Sequence, residues 1–264
     1  MSVRRTRLVA WLAGLAGWCA VAAAAPNDAP ALRVAVATNF KPTVENLCAA
    51  FHRARPGRCV VSSGASGLLY AKIMQGAPFD VFLSADVGRA ARLEAESRAA
   101  PGSRFTYAIG QLALWRPGTA ARGDPRAALE DPAVRTLAIA NPDTAPYGVA
   151  ALETLRAIGI PPGERFEIVR GESVGQAFQF VASGAVSAGF VALSQVLEYR
   201  VVTGRDIRGE VLVVDDRLHQ PIEQQAVLLS GAQDGEHAQA FLDFLRAPEA
   251  RRVIVAAGYS VPPQ

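Results

Sequence analysis

The chain has 264 residues, half of them hydrophobic and only 19% charged, with 27 Lys and Arg against 24 Asp and Glu. That composition excludes a disordered chain and can bury a large core, at a length that often divides into two lobes. No Lys/Arg block or basic-aromatic interleaving marks a nucleic-acid surface, so nucleic acid is not an expected partner.

The first element in chain order is a leader. Arg4, Arg5 and Arg7 form a positive start, Leu8 to Val21 is apolar and uncharged, and Ala22 to Ala25 offers small residues for cleavage. Residues 1–25 therefore read as a signal peptide, and the protein is expected to be exported. The uncharged run Leu8 to Ala25 is 18 residues long, the lower edge of membrane-spanning length, but its Ala/Gly richness and processing-like end favour export over an anchor. Removing the three leader arginines leaves 24 basic against 24 acidic residues, so the pI near 9.0 overstates the basicity of the working protein. Cys19 leaves with the leader, and Cys48 and Cys59 remain as an even pair in an oxidising compartment. They are either a disulfide stapling a helix to the next strand or two buried thiols; their spacing excludes a CxxC-type redox or zinc site.

After the leader, strands and helices alternate. "LRVAVAT" is a short apolar run, and "PTVENLCAAFHRA" carries Val44, Leu47, Cys48 and Phe51 at helical spacing. Then come "CVVSS", the helix "GLLYAKIMQG", "FDVFLSAD" and "YAIGQLALW". "TLAIANP" leads into "YGVAALETLRAIG", "FEIVRG" into "VGQAFQFVASG", and "SAGFVALSQV" follows. This βαβ grammar predicts an α/β fold of parallel sheets covered by helices. The Gly/Pro clusters "WRPGTAARGDP" and "IGIPPGE" mark loops within it.

In such folds ligands sit beyond the carboxyl ends of the strands, where helices begin. Four junctions share one chemistry. "VAVA" is followed by Thr38, Asn39 and Pro42, the proline suited to a first helical turn. "CVVSSGA" is followed by Ser66, read as an N-cap. "LAIANP" is followed by "DTAPYG", where Pro146 opens a helix and leaves the Tyr147 amide free. "FEIVRG" is followed by Ser173 and Gln176 in capping-box spacing, with Val174 in the first turn. Each junction offers unpaired N–H groups and a positive dipole end, and four that converge make an anion site.

Enzyme readings fare worse. Ser66 as a hydrolase nucleophile would need the G-x-S-x-G elbow, and Leu68 occupies its last glycine position. His52, His219 and His237 are isolated in sequence and lack metal-site spacing, so they read as surface or structural residues. Asp80 and Asp86 in "FDVFLSAD" read as residues that cap and orient their turn, since carboxylates facing the cleft would repel an anion.

The strings "VAVATNFKPTVENL", "SSGASGLLYAKIMQGAPFDVFLSAD", "ANPDTAPYGVAALETL" and "GESVGQAFQFVASGAVSAGFVALSQ" together resemble the molybdate-binding periplasmic proteins of ABC transporters, in order and over essentially the whole mature chain. The resemblance implies a two-lobed type II periplasmic binding fold, each lobe a mainly parallel sheet flanked by helices, joined by two crossing strands. It implies a monomeric receptor, not an enzyme, that holds molybdate or tungstate without a further cofactor or direct metal ligand and delivers it to a membrane permease; another tetrahedral oxyanion such as sulfate is the alternative. The ligand residues it implies are Thr38, Asn39, Ser66, Tyr147 and Val174. Tyr147 and Val174 would act through main-chain N–H groups, Thr38 and Ser66 mainly through hydroxyls, and Asn39 through either its amide or its side chain. Phe190 and Ala192 offer no hydroxyl where one branch of the family supplies a tyrosine, so the chain resembles the branch that uses the Thr-Asn pair. The expected lobes are residues 30–108 with 226–264, and residues 109–225. The chain crosses near 107–113 and returns near 222–228, and "AFLDFLRAPEARRVIVAAGY" packs on the first lobe.

Overall fold

In a computed structural model that describes residues 31–118, 123–204 and 207–263, ten strands form two five-stranded sheets. The expected signal peptide lies outside the described residues. Among them, no helix is long and apolar enough to cross a membrane.

The first sheet is built from β1 (Ala31–Ala37), β2 (Arg58–Gly64) and β3 (Val81–Ser84), linked by α1 (Lys41–Ala54) and α2 (Ser66–Met74). After β3 come α3 (Val87–Ala95) and β4 (Phe105–Gly110). The second sheet takes β5 (Leu112–Arg116), then after α4 (Pro125–Glu130) come β6 (Thr136–Ala140), α5 (Pro146–Ala157), β7 (Glu167–Gly171), α6 (Val174–Ala182), β8 (Ala188–Ala192), α7 (Leu193–Thr203) and β9 (Glu210–Val213). β10 (Ile222–Leu228), α8 (Gly235–Arg246) and α9 (Pro248–Ala256) return to the first sheet.

The strand orders are β2-β1-β3-β10-β4 and β7-β6-β8-β5-β9. In each, three parallel strands are followed by an antiparallel fourth, and that fourth strand pairs antiparallel with the fifth. The inner parallel strands β1 and β3 are apolar on both faces because helices cover both: Val34, Val36, Val81 and Leu83 join Phe241, Leu242 and Ile254 on one side of the first sheet, and Ala35 and Phe82 join Leu69 and Leu93 on the other. The C-terminal helices thus pack on the first sheet through Phe241, Leu242, Leu245 and Ile254.

The run "YAIGQLALW" is two strands in different sheets, parted at Gln111. Residues 109–110 and 222–225 belong to the first sheet, because Ile222 pairs with Gly110 and Glu223 with Ile109. The change of sheet therefore falls at Gln111 and between Val213 and Ile222, a few residues from the boundaries read in the sequence.

Cys48 and Cys59 form a disulfide, with Cα atoms 6.0 Å apart, which settles the open alternative and ties α1 to β2. His52 and His237, isolated in sequence, are not isolated in space: their rings stack at 5.4 Å and 15° against Phe51. Two parallel rings point their lone pairs in parallel planes and cannot share one metal ion. Among the described residues, no group of three or more His, Cys, Asp or Glu could hold one either. His219 is buried, with Nδ1 2.8 Å from the Gln220 carbonyl.

Candidate functional site

The four junctions meet in pairs before they meet across the cleft. The last residues of β1 and β2, Ala37 and Gly64, stand opposite each other, as do Ala140 and Gly171 at the ends of β6 and β7. Parallel pairing in that register sets the chain after β1 beside the start of α2, and the start of α5 beside that of α6. Among the described residues, the hydrogen bonds that close the two halves on each other include Gly67 N–H to the Thr144 carbonyl at 2.9 Å, Gly175 N–H to Thr38 Oγ1 at 3.2 Å, Arg89 Nη2 to the Asp143 carbonyl at 2.9 Å, and Ser194 Oγ to the Asn39 carbonyl at 3.3 Å.

Thr38 opens a 3-10 turn, Thr38–Phe40, that runs directly into α1, with Pro42 in the first turn of that helix. Ser66 is the first residue of α2, not its cap; the N-cap position is Ala65. Its hydroxyl has turned away from its own helix and accepts the Ala85 N–H at 2.9 Å. Two hydroxyls are therefore in the same state: Ser66 Oγ and Thr38 Oγ1 each accept a main-chain N–H, and each keeps its own proton to donate. The Ser66 oxygen has a main-chain partner and not an imidazole, which leaves a hydrolase reading without its base.

Pro146 opens α5 and puts the Tyr147 N–H in the first turn, where a helix supplies no acceptor. The Tyr147 phenol points the other way, buried behind the site and accepting from Gln224 Nε2 at 3.4 Å. Val174 begins α6 behind the cap Ser173, whose hydroxyl accepts the Gln176 N–H at 3.3 Å. The Gln176 side chain reaches back one residue further than a capping box requires, accepting the Glu172 N–H at 2.6 Å. Asp86 caps α3 and is held by Arg89 through the main-chain N–H and Nη1, both at 2.7 Å. Asp80 is buried against Arg33. Both acids therefore orient their turns.

Asn39 is 2% exposed and its side chain is committed as a donor, from Nδ2 to Gln224 Oε1 at 3.0 Å and to the Tyr259 hydroxyl at 3.1 Å. Tyr107 also donates to Gln224 Oε1 at 3.0 Å, and Tyr259 donates to the Asn39 carbonyl at 2.7 Å. Burial pushes the Tyr107, Tyr147 and Tyr259 phenols above their ordinary range, so all three stay protonated. Sequence reasoning missed Tyr107, Ser194, Gln224 and Tyr259, which lie far apart along the chain. The signal that could have found one of them is the polar pair Gln224–Gln225 inside the apolar run "IEQQAVLL".

Residues 32–260 match the bacterial extracellular solute-binding proteins. The chain belongs to that family. This solute-binding protein is 41% identical to the molybdate-binding protein ModA of Azotobacter vinelandii over 261 residues, 99% of this chain and all of that one. It is 40% identical over 236 residues to the molybdate-binding protein ModA of Rhodobacter capsulatus, covering 89% of this chain and 90% of that one. The solved structure of the Azotobacter vinelandii periplasmic molybdate-binding protein superposes with a TM-score of 0.79 at 40% identity, over 88% of this chain and all of the other. The fold is accordingly the two-lobed α/β fold of that structure, and the relatives are binding proteins, not enzymes. Phe190 and Ala192 of the solute-binding protein are buried in the second lobe, and Phe190 packs there without any polar atom to offer a ligand.

Proposed function

We propose that this protein binds molybdate, and tungstate, in the cleft between its lobes, and delivers it in the periplasm to the membrane permease of an ABC importer. The ligand donors in this reading are the hydroxyls of Thr38 and Ser66 and the main-chain N–H groups of Asn39, Tyr147 and Val174. For Asn39 the choice falls on the main chain, because both side-chain N–H groups already have partners. The observation that carries the reading is the state of the two hydroxyls: each accepts a main-chain N–H and keeps its own proton to donate, which suits an oxyanion.

Selectivity follows from the donor set. None of the five residues is an Asp or Glu, so a protonated oxyanion would leave its O–H buried without an acceptor, at a cost of about 1–3 kcal/mol. Phosphate keeps a proton part of the time near neutral pH and is rejected. Sulfate carries the same charge as molybdate but is smaller, and amides fixed at helix starts cannot contract around it. The protein acts as a monomer and uses no further cofactor.

The test is competition calorimetry of the mature protein at pH 7 to 8. Tight, near-equal binding of molybdate and tungstate is expected, with sulfate weaker by orders of magnitude and phosphate undetected. Sulfate or phosphate within tenfold of molybdate would make the cleft a general oxyanion receptor. No response to any of these anions would overturn the assignment.

A further inference from the structure

α2 and α6 begin alike. The first helical residue of each is a proposed ligand residue, Ser66 or Val174, and the second is a glycine, Gly67 or Gly175. Each glycine faces the other lobe. Gly67 donates its N–H to the Thr144 carbonyl at 2.9 Å, and a Cβ placed on it would stand 3.1 Å from the Thr144 Cα and 3.0 Å from Arg89 Nη2, the movable end of a side chain that reaches across to the Asp143 carbonyl. Gly175 donates its N–H to Thr38 Oγ1 at 3.2 Å, and a Cβ there would stand 3.1 Å from the Thr38 Cβ. These separations are closer than almost all real Cβ contacts.

The helices themselves do not ask for glycine here. Neither residue has a positive φ, and alanine is the better helix former. Gly88 supplies the comparison within the same molecule: it too is the second residue of a helix, α3, yet a Cβ on it would meet only Asp86 Oδ1 at an ordinary 3.7 Å. At position 175 the space is taken by the opposite lobe, and at position 67 by the opposite lobe together with the Arg89 guanidinium, which is itself bonded to the Asp143 carbonyl there.

We infer that Gly67 and Gly175 are the closure contacts of this protein, setting how near the lobes approach and coupling that approach to the ligand. The inference rests on the oxyanion reading of the cleft. The coupling runs through Thr38: only when the lobes are closed does its oxygen accept the Gly175 N–H, which leaves the hydroxyl proton to the anion. Closure thereby completes the donor set, and the two missing side chains permit closure.

The experiment compares Gly67→Ala, Gly175→Ala and Gly88→Ala with the wild type. Without ligand, all three variants should melt near the wild-type temperature, because within a lobe the added methyl presses at most on the movable end of Arg89. With molybdate as the probe, calorimetry should show Gly67→Ala and Gly175→Ala weakened at least tenfold, with faster release by stopped flow. Gly88→Ala should stay within twofold. Small-angle scattering at saturating molybdate should show the first two variants more expanded than the wild type. Wild-type affinity and compaction in both Gly67→Ala and Gly175→Ala would overturn the inference and leave the oxyanion reading standing. So would a fall in their ligand-free melting temperature matching the loss of affinity, which would mark an ordinary packing role. A wild type indifferent to molybdate would overturn both.

Discussion

Asn39 donates its side-chain N–H to Gln224 across 3.0 Å, a bond between residues 185 apart in the chain. It ties the turn after β1 to the strand that returns from the second sheet, and through Gln224 to the phenols of Tyr107 and Tyr147. Asn39→Ala removes these donors and leaves Tyr259 and Gln224 short of a partner, so stability should fall by about 1–3 kcal/mol. Its molybdate affinity should fall less than that of Asn39→Asp, which buries a carboxylate beside the anion. Urea melts and calorimetry on the two variants check both; equal affinities would show that residue 39 does not border the ligand.

Ser66→Ala deletes a proposed donor to the dianion and orphans the Ala85 N–H. The first loss should cost about 1.5–3 kcal/mol of binding, roughly ten- to hundredfold in Kd. Thr38→Val should behave similarly and Thr38→Ser should stay near wild type. Tyr147→Phe should change affinity by less than about threefold, since the phenol serves Gln224 over a long 3.4 Å contact and the proposed ligand donor is the main-chain N–H, which the substitution keeps. Titration calorimetry giving the reverse order for Ser66→Ala and Tyr147→Phe would overturn these roles.

The Cys48–Cys59 disulfide closes a loop with a sequence separation of 11. Chain-entropy reasoning gives such a loop about 3 kcal/mol, so the Cys48→Ala, Cys59→Ala double variant should melt roughly 6–12 °C lower. Its molybdate affinity should be unchanged, because the bridge ties the C-terminal half of α1 to the start of β2, away from the junctions. A scanning calorimetry trace beside a binding isotherm tests the separation of stability from function.

Asp80 predicts the acid limb of stability. Burial alone would raise its carboxyl, but hydrogen bonds from Arg33 side chain and main chain and from the Gln233 N–H hold it below the ordinary carboxylate range. A carboxyl lowered in the folded state stabilises above its unfolded value near 3.9, and that contribution is lost as pH falls through the folded value. Asp80→Asn should therefore lose about 3 kcal/mol at pH 7. The gap to wild type should narrow below about pH 4. Denaturation at a series of pH values would show a constant gap if Asp80 were not the group responsible.

What the sequence made legible was local. Pro146 at the first position of α5 and Ser173 capping α6 are chemistry confined to one turn, and the structure has both where the strings put them. The crossing inside "YAIGQLALW" was harder to fix, since nothing near Gln111 says that Gly110 pairs with Ile222 and Leu112 with Ala192. Ser66 failed as a cap because its hydroxyl found the Ala85 N–H, 19 residues on. The stacking of His52 on His237 and the Asn39–Gln224 bond were invisible for the same reason: their partners are chosen by sheet order, and sheet order is decided by the whole core.

The two sheets also differ in when they can be finished. Every strand of the second, from Leu112 to Val213, is laid down without interruption, whereas the first holds a place between β3 and β4 for β10, which begins only at Ile222. A chain made N-terminus first therefore delivers β1 to β4 with a gap in their sheet, then a whole second sheet, and only afterwards the missing strand and the helices that cover it. The later sheet is the first to have all its strands available. Until residue 228 has been made, β3 and β4 each present an unpaired edge, the kind of surface on which chains associate.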